Sequence, residues 1–113
     1  MIHVYKNQNP VYAFSMRFAF SNKKLEALFL EGKGARKLPE GVYVAFLDAI
    51  AVIAAIQDER ELYDRPGLRP EQLSGKRSGE YSLRLNKQFR LIYTIETDPD
   101  GNLILVLEIQ DYH

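Results

Sequence analysis

Apolar and polar residues follow two different periods along this chain, helical in the first half and twofold in the second. "MRFAF" at 16–20 reads as a first strand, and the following "SNKKLEALFLEG" sets Leu25, Leu28 and Phe29 at i, i+3, i+4 spacing. With Ser21 or Asn22 as N-cap and Gly32 as the stop, this pattern predicts a short amphipathic helix. "LPEGVYVAFLDAIAVIAAIQDERELYD" repeats the helical period over a longer stretch. Tyr43, Phe46, Leu47, Ile50 and Ala54 form a stripe that Val42, Ile53 and Ile56 widen, so burial on most of its circumference is expected. Pro39 suits the first turn, and the two Pro and one Gly of "DRPGLRPEQ" are expected to end the helical region in a loop.

Beyond that loop the period is two. In "EYSLRLN" Tyr81, Leu83 and Leu85 alternate with Ser82, Arg84 and Asn86, and in "FRLIYTIET" Phe89, Leu91, Tyr93 and Ile95 alternate with Arg90, Ile92 and Thr94. "DPDG" is a turn signal before the apolar strand "NLILVLEI". Three consecutive strands predict an antiparallel meander. The order β-α-α-β-β-β therefore predicts an α+β fold, a curved antiparallel sheet with the two N-terminal helices packed on one face.

At 113 residues the chain has the length of one ordinary domain. Residues 1–15, "MIHVYKNQNPVYAFS", precede a second Met. They are expected to be an extension upstream of a start at Met16, adding an edge strand or lying loose, with the domain proper at 16–113. The longest apolar run, "VYVAFLDAIAVIAAI", is shorter than the roughly 20 residues of a membrane span and carries Asp48, so no membrane anchor is expected. Cysteine is absent, which excludes disulfides and thiolate zinc sites, and His3 and His113 are far apart. No metal and no cofactor is expected. The first residues lack the pattern of a secretory signal, and the expectation is a cytoplasmic protein.

Fifteen basic and fifteen acidic residues cancel, but their distribution is uneven. From Arg65 to Arg90 there are seven basic residues against Glu71 and Glu80, whereas from Leu91 onward there are five carboxylates and no Lys or Arg. A basic stretch beside an acidic tail suits an anion site, and equally a solvated charged face.

The ordered set "LSGKRSGEYS", "LRLNKQFRLIY" and the terminal "DYH" resembles the HigB branch of the RelE/ParE superfamily of bacterial toxins, over about residues 16–113. The resemblance implies a RelE-like fold and a ribosome-dependent endoribonuclease, an mRNA interferase that cuts message in the A site without a metal. It also implies a helix-turn-helix antitoxin of the HigA type as partner, besides the ribosome and mRNA. Two other readings remain at this point: a non-enzymatic gyrase poison like the superfamily's ParE members, and an inactive interaction module.

Metal-free RNA cleavage needs a base for the ribose 2′-OH, cations for the phosphorane and an acid for the departing 5′-oxygen. An unperturbed imidazole titrates near neutrality, so His113 is a candidate acid or base. Tyr112 can act as a base only if cations depress its phenol, or can stack on a nucleobase. Asp111 can orient the imidazole or hold a cation. Strand alternation sets Asp111 and His113 on one side and Tyr112 on the other. Arg90 can grip the scissile phosphate with its fork, or form a sheet-surface ion pair with Glu108. Lys76 and Arg77, in a Gly-flanked turn, are expected to hold RNA together with Arg69 and Arg84. Some HigB members carry a His in the loop before the strand, where this chain aligns Glu71. Glu71 is a possible base and a poor acid, which puts a two-histidine scheme in doubt and leaves Glu71 or Tyr112 to share the work with His113.

Overall fold

The computed structural model describes residues 2–12 and 14–112. Its sheet is built from β1 (Val4–Tyr5), β2 (Arg17–Phe20), β3 (Glu71–Gln72), β4 (Tyr81–Arg84), β5 (Phe89–Asp98) and β6 (Gly101–Asp111), in the order β1-β2-β6-β5-β4-β3. The expected meander is β4, β5 and β6. One pair departs from the antiparallel expectation: β2 runs parallel to β6, with Phe18 opposite Ile104 and Phe20 opposite Val106. Two helices and three strands separate the members of this pair in sequence, which gives the crossover that a parallel pairing needs.

Helix α1 (Lys23–Glu31) starts where Asn22 accepts the Leu25 amide at 2.9 Å and stops at Gly32, whose φ is 69°. A methyl group on Gly32 would stand 3.0 Å from the Tyr43 hydroxyl, so both backbone and space select glycine here. Helix α2 (Val42–Ala55) is shorter than its apolar period suggested. It begins after Gly41, beyond Pro39, and ends at Ile56, which turns extended and accepts the Met16 amide. The stretch that follows forms a separate 3₁₀ turn, Glu59–Asp64. Its reciprocal cap explains the break: Asp58 accepts the Arg60 amide at 2.8 Å while Glu61 accepts the Asp58 amide at 2.8 Å.

Buried residues of both helices, including Leu25, Leu28, Phe46, Ile50 and Ile53, join Phe18, Phe20, Leu83, Leu91, Tyr93, Ile104 and Val106 in one cluster. Both helices therefore cover the same face of the sheet. Tyr5 extends this cluster at the edge, stacking on Phe18 at 5.5 Å and donating its hydroxyl to Glu26 at 2.6 Å. Burial, and then the Glu26 carboxylate, push the Tyr5 phenol up to about 12. Strand β1 is thus fastened to α1, and Asn7 reaches the Ala54 carbonyl at the end of α2. In the central β5–β6 pair, Ile92 faces Glu108 while its neighbour Tyr93 faces Val106, leaving Leu107 as the extra residue of a β-bulge.

Candidate functional site

Residues directly opposite one another in paired strands project to the same side, so the register assigns each candidate to a face. Leu83, Leu91 and Ile109 form a row on the helix-covered face. Arg84, Arg90 and Gln110 form the adjacent row on the other, helix-free face. One row further along that face stand Glu71, Ser82, Ile92 and Glu108.

The β4–β5 turn organises the arginines. The Asn86 side chain accepts the amides of Gln88 at 2.8 Å and Phe89 at 2.7 Å, an Asx arrangement that fixes the turn. Its backbone carbonyl then collects Arg90 Nη1 at 2.7 Å and Arg84 Nε at 3.3 Å. Arg90 also donates to the Phe89 carbonyl at 3.1 Å, and its guanidinium carbon lies 5.4 Å from the centre of the Tyr112 ring. The tail is held to the same turn, because the Tyr112 amide donates to the Gln88 carbonyl. Residue type alone did not point to Asn86, because its contact with the arginines is made by the backbone carbonyl. An Asn opening a tight turn between two strands was the available signal.

The structure therefore brings Arg84, Arg90 and Tyr112 together. Asp111 is opposite Phe89 in register, on the other side of β6 from Tyr112, and accepts from the Gln88 side chain at 2.9 Å. His113 lies outside the described residues. Glu71 is exposed on the edge strand β3, on the Arg90 face but two strands away from it. Arg69 is exposed and is the one non-glycine residue with positive φ among those described, 42°. Its left-handed backbone turns the chain toward β3 just after the Leu68 carbonyl accepts the Arg84 amide.

Arg77 occupies a different setting from the one the sequence suggested. Its guanidinium binds Glu80 at 2.7 Å, Glu108 at 3.0 Å and Gln110 at 3.2 Å, and its pKa is raised first by the Glu80 hydrogen bond and then by that from Glu108. Glu108, weighed as a partner of Arg90, is thus the partner of Arg77. Because Arg77 precedes β4 yet reaches β6, the turn "GKRSG" folds back over the row that contains Ser82 and Ile92, both buried. Gly79, at φ 94°, permits this reversal. The Ser82 hydroxyl is left under the turn without a hydrogen-bond partner among the described residues, whereas Lys76 at the tip is exposed.

Comparison with known proteins agrees with this architecture. A family model described as "RelE-like toxin of type II toxin-antitoxin system HigB" matches residues 18–113. Toxin HigB-1 of Vibrio cholerae is 36% identical over 78 residues, which cover 69% of this chain and 82% of that protein. A YoeB/ParE toxin from Agrobacterium tumefaciens superposes with a TM-score of 0.54 at 15% identity, covering 85% of this chain and 98% of the other, and so shares the fold. A YoeB from Staphylococcus aureus, solved as a dimer, gives a TM-score of 0.50 at 21% identity over 89% of this chain and 99% of its own. The chain belongs to the HigB family of RelE-like toxins of type II toxin-antitoxin systems.

Proposed function

We propose that this chain is a metal-independent endoribonuclease that cuts messenger RNA in the ribosomal A site and so stops translation. The observation that carries the reading is the pairing of Arg90 with Tyr112 on the helix-free face, with Arg84 beside them. Two guanidinium groups and an aromatic ring, anchored to one turn, suit a phosphodiester and its adjoining base.

In this scheme the ribose 2′-oxygen attacks the adjacent phosphorus, and the bond to the 5′-oxygen of the next nucleotide breaks. The products are a 2′,3′-cyclic phosphate and a 5′-hydroxyl end. Arg90 neutralises charge accumulating on the phosphorane, a task suited to a guanidinium whose position is already set by the Asn86 carbonyl. His113 donates a proton to the leaving oxygen. Tyr112 or Glu71 removes the 2′ proton, and both belong to the Arg90 face. Lys76, Arg69 and Arg84 hold the strand. Arg77, already satisfied by two carboxylates, keeps the Gly-flanked turn seated on β6. With zero net charge the protein gains little from long-range attraction to free RNA, so the ribosome supplies the remaining contacts. The regulating partner is a helix-turn-helix antitoxin encoded beside it, and the site of action is the cytoplasm.

The test is cleavage of message on translating ribosomes by the wild-type protein, His113→Ala and Arg90→Ala. Removal of a positioned acid or of the phosphate-binding cation lowers the rate by about 10²- to 10⁴-fold. Full cleavage by both variants refutes the mechanism, and inhibition of gyrase with intact message identifies a different target.

A further inference from the structure

Three polar side chains share the helix-free face at the end of β6: Glu108, Gln110 and Tyr112. Gln110 stands between the other two and directly opposite Arg90 on β5. Its side-chain oxygen accepts from Arg77 Nη1 at 3.2 Å. The same guanidinium gives Nε to Glu80 at 2.7 Å and Nη2 to Glu108 at 3.0 Å, so each of its three nitrogens holds a different partner. Two carboxylates already neutralise the cation. The third bond therefore adds nothing to the charge balance; what it adds is direction.

An arginine has donors and no acceptor, so of the two ends of the Gln110 amide only the oxygen can face Arg77. The two N–H groups of Nε2 have no hydrogen-bond partner among the described residues. Gln110 is half-buried, and Tyr112 follows it two positions along the strand, a separation of about 7 Å. An unassisted glutamine can turn its amide over and offer either a donor or an acceptor. Held by Arg77, this one is restricted to donating.

We propose that Gln110 is a specificity-determining residue whose Nε2 donates to the edge of the RNA base stacked on Tyr112, and that Arg77 is the positioning residue that fixes its amide. A donor at this place selects bases that present an oxo group, uracil O4 or guanine O6, over those that present an amino group, cytosine N4 or adenine N6. Arg84 and Arg90 already supply charge to the phosphate, which leaves the neutral amide for the base. The inference rests on the nuclease reading above and deepens it. Guanidinium groups bind any sequence, whereas an oriented amide chooses among sequences.

In the experiment, translating ribosomes are incubated with wild-type toxin, Gln110→Ala, Gln110→Glu and Arg77→Lys, and the new 5′-hydroxyl ends are sequenced. The quantity read is the ratio of cuts beside uracil or guanine to cuts beside cytosine or adenine. Thermal melts confirm that each variant folds. Gln110→Ala should lower the ratio by about 3- to 10-fold, the worth of one neutral hydrogen bond. Gln110→Glu keeps an acceptor for Arg77 but replaces the donor with a second acceptor, so the ratio should fall further, by about 10- to 100-fold in total. Arg77→Lys keeps a positive charge but cannot span three partners, so the amide is free to turn over and the ratio should fall by about 3- to 10-fold. A merely structural role of Arg77 would lower stability and total cleavage and leave the ratio unmoved. An unchanged ratio in Gln110→Glu, even with a uniform loss of cuts, overturns base reading by Gln110, and so does wild-type cleavage with no preference between the two classes of base. A lowered ratio in both Gln110 variants with Arg77→Lys unchanged overturns the positioning role. If the wild type cuts no message, the nuclease reading falls and the role of Gln110 falls with it.

Discussion

The two sides of β5 are made from alternate residues of one ten-residue strand, yet they are held by different forces. Leu91 and Tyr93 face the helices and are fixed by close packing from every direction. Arg90, between Phe89 and Leu91, is fixed by two carbonyls and a ring. The first side gains from having no alternative arrangement, whereas the second holds its cations by hydrogen bonds to carbonyls on the helix-free face. Adjacent positions in sequence can therefore differ sharply in what their loss costs.

The sharpest contrast comes from neighbouring substitutions. Leu91→Ala should cost about 2–5 kcal/mol in urea denaturation, because the vacated volume cannot be refilled by the surrounding helices. Arg90→Ala should change stability by no more than about 1 kcal/mol while removing message cleavage. Equal destabilisation by both would erase the distinction between the sides. Gly32→Ala is a smaller perturbation of the packed side. The left-handed backbone and the 3.0 Å approach of the Tyr43 hydroxyl predict a loss of about 1–2 kcal/mol, read from the same denaturation curves.

Smallest is the effect at the edge of the packed side, where Tyr5→Phe removes the hydrogen bond to Glu26 and should cost about 1 kcal/mol. This contact also has a pH signature. The folded pKa of Tyr5 is above its unfolded value of 10, so the contribution is complete below pH 10 and is lost as pH climbs toward 12. Wild type should lose stability more steeply than Tyr5→Phe in that window, and parallel curves would show that β1 is not held by the phenol.

The packed side was the more legible of the two in the sequence. Period alone identified α1, the apolar stripe of α2 and the meander, because burial imposes a repeating pattern over many residues. It missed the end of α2, where one reciprocal cap around Asp58 and Glu61 outweighs continued apolar spacing. On the open side, residue type pointed to Arg90 and Tyr112, since few side chains suit phosphate and base. Residue type could not foretell that Arg77 would be claimed by Glu80 and Glu108, because Glu108 is thirty-one positions away and meets it only through sheet register. Nor could it reveal the parallel β2–β6 pair, which depends on where the helices return the first strand.

The extra residue at Leu107 settles which members of the tail share a side with Arg90. Counting by twos from Val106, which points into the helices, an unbroken strand would turn Tyr112 inward and Asp111 outward. The single insertion exchanges odd for even from that point on. Excising Leu107 would thus keep every candidate side chain in the protein yet turn the other set toward the Arg90 face, the conformational equivalent of a frameshift.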